Sequence, residues 1–586
     1  MSEPSTAPEW APHPRRDTPR ALALARELDA PLAAAHVLVN RGLCDGAAAR
    51  RFLEPELDDL HDPFQMLDLE RAVGRIQRAL AAGERIFVHG DYDVDGITAT
   101  FLLSAVLQEM GGRVEVRIPH RVRDGYGLSV EAMEDAHRRG CGLVVTVDCG
   151  VTAVEAVERG RALGLDTIVT DHHEPAGTLP AAVAVVNPRR PDCPYPFKWL
   201  AGVGVAFKLA QALLRGRGGL ERAREYLDVV ALGTIADVVP LVGENRVLAW
   251  HGLRRLDRTS RPGLQALKEV AGLAGRRVTG GHVAFVLAPR INAGGRMGNA
   301  EQGLRLLMAR EGGEAHALAQ SLEEDNQRRR SYDEEALAEA SRQVEGELGW
   351  PDCASILLWS DRWHAGVVGI VASRLVERYQ RPAVLVALDG ERGRGSGRSL
   401  PGLDLNAVLA ECGDLLEAHG GHAFAAGLTV RRERLPELRE RLERLVDERL
   451  PRGTGRPRLE MDATVPLKDC GLELVGWLER MAPHGHNNAY SHGLDNPEPM
   501  FQTEELAVDA VGTVGQGRHL RLQVRDGTDS AEAIGFGMGG RAEEVRRVRR
   551  CRLAFVPARN EWLGEERVQL RVKDVRLPGA GEAGLP

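Results

Sequence analysis

Several features that mark other classes of protein are missing from this sequence of 586 residues. It has no apolar run long enough to cross a membrane, and its longest runs, GLVVTV and AVAVV, have the length of buried strands. Its eight cysteines are scattered singly without a C-x-x-C pair, so neither a disulfide framework nor a cysteine zinc site is expected. These absences predict a protein of the reducing cytoplasm.

An excess of positive charge is missing too. The formal net charge is −8, which is not the footprint of a protein that is basic overall and binds nucleic acid. A basic groove on an acidic protein is compatible with that value. Most of the cations are arginine, which suits bidentate contacts with phosphate, although a GC-rich genome produces the same bias.

The length of the chain indicates several domains, because a typical domain has about 100–200 residues. After residue 82, apolar strands alternate with helices, which indicates a parallel sheet covered on both faces. Near the end, HLRLQVRD and RVQLRVKD alternate with period two, as in a β-barrel. The predicted fold class is therefore α/β, with two α/β domains joined by a long helix and followed by a β-barrel. The predicted boundaries are 1–30 for a disordered tail without a signal peptide, 31–302 for the first α/β domain with its amino-terminal helices, 303–349 for the linking helix, 350–455 for the second α/β domain and 456–586 for the barrel.

The segment FVHGDYDVDG, residues 87–96, opens like a calcium-binding EF-hand loop, with three alternating aspartates followed by glycine. With Asp91 at position 1, however, position 12 is Leu102, where an EF-hand needs a bidentate glutamate. The segment before Asp91 also reads as a strand rather than as an entering helix. We therefore reject the calcium loop.

Polar side chains follow the predicted strands of the first domain one after another. The carboxyl ends of parallel strands lie along one edge of a sheet, so these residues are expected to converge there. A single Asp after a strand is usually a cap and a single His is usually structural, but a repeated pattern is harder to explain in that way. Crowded carboxylates repel one another unless cations lie among them. A ligand set of carboxylates and imidazoles favours Mn²⁺ or Mg²⁺. We expect two such ions at this site. The residues are His89, Asp91, Asp93, Asp95, His120, Arg121, Asp148, Asp171, His172, His173 and Asn187.

Motifs of the same domain resemble one known family. The triplet DHH at residues 171–173 is the signature of the DHH phosphoesterase superfamily, and HGDYDVDG, VDCG, DHHEP and ALGTIADVVPL follow one another as they do there. PRINAGGRMGNA, GSGRS and GGHAFAAGLTV resemble its branch of bacterial single-strand-specific 5′→3′ exonucleases, and the last of them looks like a DHHA1-type domain. The resemblance runs from about residue 38 to about residue 575. It implies metal-dependent release of mononucleotides from the 5′ end of single-stranded DNA, in DNA repair and recombination, by DHH, DHHA1-type and OB-like domains.

The resemblance also implies roles for individual residues. Asp148 would bridge two ions, Asp91 would be catalytic or support the ligands, and His173 would contact the scissile phosphate or move a proton. The implied metal ligands are Asp93, Asp95, Asp148, His172 and Asp237, with His89 as an outer or weaker ligand. The implied contacts to the strand and its 5′ phosphate are Arg121, Arg296, Ser396, Arg398 and His422.

Alternatives accompany these assignments. GRGSGRS is interpreted as a glycine-rich phosphate cradle or as a mobile loop, and the two arginines of the first domain as strand contacts or as partners in structural salt bridges. In the barrel, Trp562 is the candidate base-stacking residue because we expect it in a loop, whereas Phe536 and Phe555 are interpreted as core. The segment AEEVRRVRRCR, residues 542–552, is interpreted as a solvated face or as a basic helix on DNA, and its interleaved valines favour the solvated face.

The expected substrate is single-stranded DNA. A single-strand-binding protein and a RecQ-type helicase are expected protein partners. We expect the enzyme to be a monomer and not to associate with a membrane. Competing functions are a DHH phosphodiesterase for short oligonucleotides or cyclic dinucleotides, which the barrel disfavours, and a non-catalytic replication cofactor, which the full acidic set disfavours. A manganese pyrophosphatase would lack the linker and the barrel. We expect the histidines of HGHNNAYSH, His484, His486 and His492, to be incidental, and no further domain after the barrel.

Overall fold

The structure, a computed structural model, describes residues 8–121, 124–175, 177–450, 458–485, 496–562 and 565–578. The chain divides into two compact units. One unit comprises Leu57–Gly455, and the other comprises Ser5–Glu56 together with Arg456–Pro586. Within the described ranges, no helix combines the length and the apolar character that crossing a membrane requires.

The amino-terminal residues are folded, so the predicted tail over residues 1–30 is wrong for most of its length. A strand at Glu9–Pro12 pairs in parallel with Arg458–Met461, and Asp17 caps the first helix by accepting from the Arg20 amide at 3.1 Å. The following helices pack on the barrel rather than on the first α/β domain, because their Ala and Leu faces complete its core. The elements are β1 (Glu9–Pro12), α1 (Thr18–Leu28), α2 (Leu32–Asn40) and α3 (Gly46–Leu53).

The first α/β domain contains a five-stranded sheet that is parallel throughout, as predicted, with the order β3-β2-β4-β5-β6. Apolar clusters cover both of its faces, and β4 is apolar and buried over nearly its whole length, as a central parallel strand must be. Its elements are α4 (Leu69–Ala82), β2 (Arg85–His89), α5 (Val94–Glu109), β3 (Arg113–Arg117), α6 (Val130–Arg138), β4 (Cys141–Val147), α7 (Val154–Ala162), β5 (Asp166–Thr170) and β6 (Ala184–Val186).

Helices continue this domain and lead into the next one. Residues 303–349 do not form the single linking helix that the sequence predicts, because the backbone is extended at Ala309 and at Glu311 and divides the segment into two helices. The longer of the two runs for 35 residues. The elements are α8 (Gly202–Leu213), α9 (Leu220–Ala223), α10 (Leu227–Ala236), α11 (Gly243–Asp257), α12 (Pro262–Val270), α13 (Gly280–His282), α14 (Ala288–Met297), α15 (Glu301–Met308) and α16 (Gly312–Gly346).

The second α/β domain has a mixed five-stranded sheet with the order β10-β11-β9-β8-β7. The segment GRGSGRS lies in strand β9, paired on both sides, and is therefore neither a cradle loop nor a mobile loop. Its glycines are needed for packing, because a Cβ on Gly393 or Gly395 would meet Val386 or Leu428 at 3.0 Å or less. The elements are β7 (Ile356–Ser360), α17 (Val368–Tyr379), β8 (Ala383–Asp389), β9 (Arg392–Arg398), α18 (Leu405–Ala410), β10 (Leu416–His422), β11 (Ala425–Arg431) and α19 (Leu435–Arg449).

The last domain is the predicted β-barrel. Its strands follow the order β13-β14-β18-β15-β16-β17-β19, and additional pairing of β18 with β19 closes the sheet. Phe555 is buried as predicted, but Phe536 is 59% exposed and is not a core residue. The helix within residues 542–552 buries Ala542 and Val545 and turns its arginines outward. The elements are β12 (Arg458–Met461), β13 (Ala463–Thr464), α20 (Leu472–Met481), β14 (Phe501–Gln502), β15 (Leu506–Val514), β16 (His519–Asp526), β17 (Asp529–Gly535), α21 (Ala542–Val548), β18 (Arg550–Trp562) and β19 (Glu565–Arg576).

Candidate active site

The three alternating aspartates after β2 occupy three different positions. Asp93 is the N-cap of α5, because its Oδ1 accepts from the Gly96 amide at 3.1 Å. Asp91 lies against the same turn, where a Cβ on Gly96 would come within 2.7 Å of Asp91 Cβ, so only glycine fits there. Asp95 is in the first turn of α5, and its carboxylate accepts from the Gly202 amide at 2.6 Å and the Val203 amide at 2.8 Å, at the start of α8.

Asp148 follows β4 in a strained backbone conformation. Its φ of 61° lies in the left-handed region, which non-glycine residues adopt at a cost of about 1–3 kcal/mol. A Cβ on Gly202 would lie 2.4 Å from Asp148 Oδ1, so the glycine that starts α8 makes room for the carboxylate. The strained turn directs the Asp148 carboxylate to His172.

Carboxylate oxygens from three separate segments converge on one imidazole nitrogen. The Nε2 atom of His172 lies 3.1 Å from Asp148 Oδ1, 3.7 Å from Asp237 Oδ2 and 3.8 Å from Asp95 Oδ2. Burial lowers the pKa of His172 to about 4, so its ring is neutral at pH 7. Asp148 Oδ1 and Asp237 Oδ2 are buried, and neither has a hydrogen-bond partner among the described residues. Buried carboxylate oxygens without donors around a neutral imidazole are the arrangement that a metal ion satisfies.

The cluster forms three sets of candidate ligand atoms, each set lying within 4.8 Å of one another. Asp148 and His172 each belong to two sets, and the bridging position of Asp148 stays a prediction. Burial raises the pKa values of Asp91, Asp95 and Asp148, and neighbouring carboxylates raise them further, so without cations these groups resist ionisation together. Oxygen and imidazole donors without thiolate fit Mn²⁺ or Mg²⁺. The sets are Asp148 with His172 and His173, Asp95 with His172 and Asp237, and Asp91 with Asp93 and Asp148.

Asp171 orients the two histidines that follow it, a role that the sequence-based assignment did not give it. Its Oδ1 accepts from His173 Nδ1 and from the His172 amide, both at 2.7 Å, and its Oδ2 accepts from the Val151 amide at 2.9 Å. Burial would raise the pKa of Asp171, but the hydrogen bond and charge of His173 hold it at about 2. The same hydrogen bond outweighs burial at His173 and raises its pKa to about 9. With Nδ1 facing Asp171, the other ring nitrogen, His173 Nε2, points away from Asp171 and lies 3.2 Å from the Tyr126 hydroxyl.

Two further placements differ from the expectations. His89 is fully buried, stacks on Phe87 and has its Nε2 atom 3.2 Å from the Gly127 carbonyl, and it belongs to none of the three ligand sets found in the described part of the chain. Tyr126, which the sequence did not single out, is 52% exposed with its hydroxyl 3.0 Å from His173 Nδ1. The available signal was its position in GYG, because Gly125 and Gly127 both have positive φ and turn the tyrosine toward the cluster.

Arginines from both α/β domains gather beside the metal cluster. Arg296 is half-buried, and its desolvation together with Arg121, Arg329 and Arg398 lowers its pKa to about 9. It donates to the Gly366 carbonyl at 3.0 Å, and no carboxylate pairs with it in the described ranges, so the salt-bridge alternative does not hold for it. Arg121 lies over the Tyr92 ring at 4.7 Å. Clustered guanidinium groups without enough counter-charge form a site for an anion.

The second α/β domain brings its expected residues to the same place. The Ser396 hydroxyl accepts from Arg398 Nη1 at 3.0 Å, and both residues lie at the end of β9. Burial lowers the pKa of His422, and the next contributions come from Arg398 and His173, one from each domain. Because the amides of β9 are taken up in strand pairing, the anion site consists of side chains rather than of a backbone cradle.

Two expectations concern residues at the margins of the described ranges. Trp562 is the last residue of β18 rather than a loop residue, and its side chain lies outside the described part. His486 and His492 lie outside the described residues as well, so the interpretation of that loop stays a prediction.

Comparison with known proteins agrees with this architecture. Family models match residues 85–234 as the DHH family, N-terminal domain, residues 353–448 as a DHHA1 domain and residues 461–574 as a RecJ OB domain. The fold and its acidic cluster thus define a DHH-family protein that carries a DHHA1 domain and an OB domain.

Proteins that match almost the whole chain identify the family within that class. The single-stranded-DNA-specific exonuclease RecJ of Bacillus subtilis is 38% identical, over 96% of this chain and 70% of the relative, and that of Escherichia coli is 36% identical, over 88% and 91%. The crystal structure of RecJ in complex with Mn²⁺ from Thermus thermophilus has a TM-score of 0.83 at 31% identity, covering 99% of this chain and 81% of that one. Its Mg²⁺ complex has a TM-score of 0.77 at 30% identity, covering 99% and 80%. The chain belongs to the RecJ family, and the prediction of a Mn²⁺ or Mg²⁺ site is confirmed.

Proposed function

We propose that this chain is a metal-dependent exonuclease that hydrolyses single-stranded DNA from the 5′ end and releases mononucleotides. The observation that carries the proposal is the position of the arginine site beside the carboxylate and histidine cluster, in one cleft of the unit Leu57–Gly455. A hydrolase cluster alone would suit many phosphoesters. A half-buried cationic site next to it supplies a place for a terminal phosphate.

We propose that two ions would be held by the carboxylates of the three ligand sets together with His172, while His173 would face the substrate. Bound divalent ions supply an activated water and stabilise the developing charge on the leaving oxygen. The neutral ring of His172 keeps its nitrogen available as a ligand, and Asp148 reaches both halves of the cluster. Asp171 holds the proton of His173 on Nδ1 and turns the opposite edge of the ring toward the substrate phosphate.

The arginine site supports the proposed direction of attack. Arg121, Arg296 and Arg398 would bind the 5′-terminal phosphate, with Ser396 and His422 beside them. Arg296 is half-buried, donates to the Gly366 carbonyl at 3.0 Å and lies among other arginines, so we propose that a 5′ phosphate bound there marks one end of the site and that the strand extends away from it. The first phosphodiester linkage then falls at the metal cluster, which gives hydrolysis from the 5′ end.

The barrel supports a single-stranded substrate, because OB folds present aromatic side chains on which bases stack. Phe536 is exposed and packs edge-on against His519 at 5.2 Å, next to the turn between β15 and β16. We therefore add Phe536 to Trp562 as a candidate stacking residue.

A role in DNA repair and recombination follows from this activity. An enzyme restricted to single strands needs another protein to open duplex DNA, so we propose that a RecQ-type helicase and a single-strand-binding protein supply its substrate, and that it works as a monomer. All eight cysteines are free thiols, which supports a reducing cytoplasm.

The test is digestion of single strands that carry a label at either end, with a matched duplex, in Mn²⁺, in Mg²⁺ and in EDTA. The proposal predicts that labelled mononucleotide appears first from the 5′ label, only with metal and not from blunt duplex. Release first from the 3′ label would refute the direction. Activity confined to dinucleotides and very short oligonucleotides would identify a small-substrate phosphodiesterase, and strand binding without hydrolysis would identify a non-catalytic cofactor.

A further inference from the structure

A cavity with a volume of about 970 Å³ lies in the first α/β domain, away from the metal cluster. Its walls come from the carboxyl-terminal half of α5, the start of α10, the end of α11 with the following turn, and the end of α15. Cavities of this size hold small organic ligands in many proteins. None of the residues assigned above to the metal or to the strand lines it.

The lining of this cavity is cationic. Six arginines line it against two carboxylates, Glu225 and Asp228. Each carboxylate already has a partner, because Glu225 pairs with Arg255 and Asp228 pairs with Arg261. In the described part of the chain, Arg254, Arg258 and Arg310 have no carboxylate partner, although Arg254 lies over the Trp250 ring at 3.1 Å and donates to the Trp250 carbonyl at 3.0 Å. Three unneutralised guanidinium groups around one cavity attract an anion with several acceptor oxygens.

The wall of the cavity formed by Arg261, Asp228 and Thr259 is held in place by contacts among its own side chains. The Arg261 guanidinium lies 4.9 Å from the centre of the Tyr226 ring and 5.2 Å from that of Phe101, and Asp228 accepts from its Nε at 3.2 Å. Asp228 also accepts from the Thr259 hydroxyl at 2.7 Å, and both residues are buried. This network holds the wall in one arrangement, and an ordered wall lowers the entropy cost of binding a ligand.

The cavity is connected to the metal cluster through two helices. Gln108 of α5 lines the cavity and Asp95 lies at the other end of α5, so about 20 Å of helix separates them. Asp228 of α10 lies about 14 Å from Asp237, the C-cap of that helix. This separation means that a ligand in the cavity does not touch the reacting phosphate.

We propose that this cavity binds a nucleoside phosphate, with the phosphate on Arg254, Arg258 and Arg310. A small ligand is preferred over a nucleic acid strand because the wall of Arg261, Asp228 and Thr259 is fixed by its own contacts, and the oligonucleotide arm of the test decides between the two. A nucleoside phosphate is favoured over inorganic phosphate because the cavity is larger than one phosphate needs and its wall includes the apolar side chains of Leu307, Met308 and Pro262. The choice of deoxyadenosine monophosphate as the probe rests on the proposed function, which releases such products.

The test is calorimetric titration of the full-length protein in EDTA with deoxyadenosine monophosphate, deoxyadenosine and inorganic phosphate. The double variant Arg258→Ala/Arg310→Ala should bind the mononucleotide at least about tenfold more weakly than wild type, because it lacks two charge-assisted phosphate contacts. Arg398→Ala changes the arginine site of the cleft instead and should keep the affinity of the cavity. Arg161→Ala on α7 is the matched control for removal of an exposed arginine, and thermal melting reports whether each variant is folded.

Each outcome of the titration either supports or overturns the proposal. Loss of mononucleotide binding in Arg398→Ala with full binding in the double variant would assign the nucleotide to the cleft and overturn the proposal. Equal affinity for inorganic phosphate and for the mononucleotide would overturn the nucleoside assignment. Reduced affinity of the double variant for an oligonucleotide alone would make the cavity a strand contact. Because no turnover is measured, failure here is distinguishable from failure of the proposed exonuclease activity.

Discussion

The carboxylate of Asp171 offers a sharp test of how the cluster is built, because it accepts hydrogen bonds from the His173 ring and from the His172 backbone amide. In Asp171→Asn the side chain keeps its size but loses one acceptor and the charge. If the amide oxygen stays on His173, the amide nitrogen faces the Val151 N–H, so two donors meet in a buried place. His173 loses the group that holds its proton on Nδ1 and raises its pKa.

Two magnitudes follow from this geometry. Partners that orient metal-site histidines typically contribute about 10–100-fold to activity or metal affinity, so kcat/KM on a 5′-phosphorylated single strand should fall by about that factor. The pKa of Asp171 is about 2 against an ordinary 3.8, which corresponds to about 2 kcal/mol of folding stability. Because this pKa is depressed, the stability contribution is complete above pH 3.8 and disappears as the pH falls toward 2.

The assay is steady-state release of labelled mononucleotide, with thermal melting in EDTA at pH 7. Asp166→Asn is the matched control, because Asp166 lies at the opposite end of β5 and is half exposed. Asp166 pairs with Arg75, and in the variant Arg75 still has its salt bridge with Glu84. It should leave kcat/KM unchanged. An Asp171→Asn enzyme within twofold of wild type, or a control that loses as much activity, would refute the orienting role.

Other predictions test separate parts of the site. Asp148→Ala should reduce hydrolysis by more than about a hundredfold, beyond the range for orienting partners, while strand binding in EDTA stays intact; turnover near wild type would contradict the ligand assignment. Arg398→Ala should lower the preference for 5′-phosphate over 5′-hydroxyl ends by about tenfold, measured by competition, and an unchanged ratio would count against the phosphate contact. Phe536→Ala should weaken binding of a long single strand by about tenfold, from one lost stacking contact, whereas the exposed Leu472→Ala of the same unit should not, and equal effects would argue against stacking.

The strained backbone at Asp148 suggests why this residue must come directly after a strand. A carboxylate that reaches two sets of ligand atoms has to leave β4 at a sharp angle, and the left-handed conformation supplies that angle. The cost of about 1–3 kcal/mol is offset by the buried sheet that fixes both sides of the turn. Replacement by a flexible glycine would relieve the strain but would remove the carboxylate that both sets share.

The sequence by itself determined the parallel sheet and most of the metal cluster. Apolar strands followed by Asp or His are local features, and the rule that parallel strands end at one edge converts them into a shared site without any long-range information. For the same reason the DHH triplet, the aspartates after β2 and Asp148 could be placed together before the structure showed them near one another. The barrel was predictable because period-two alternation is also a local pattern.

Only the tertiary structure decided which residues serve these ligands and where the remaining segments belong. Asp171 is an orienting carboxylate, and His89 is a buried residue outside the ligand sets, because of contacts to Val151 and Gly127 that no local pattern encodes. GRGSGRS became a strand because partners on both sides took up its amides. The helices before residue 56 pack on a barrel that begins some four hundred residues later, because apolar faces are matched by shape and not by distance along the chain. The gathering of Arg296 with other arginines is likewise a property of the folded unit, since a sequence shows a cation but not whether a counter-charge lies within reach.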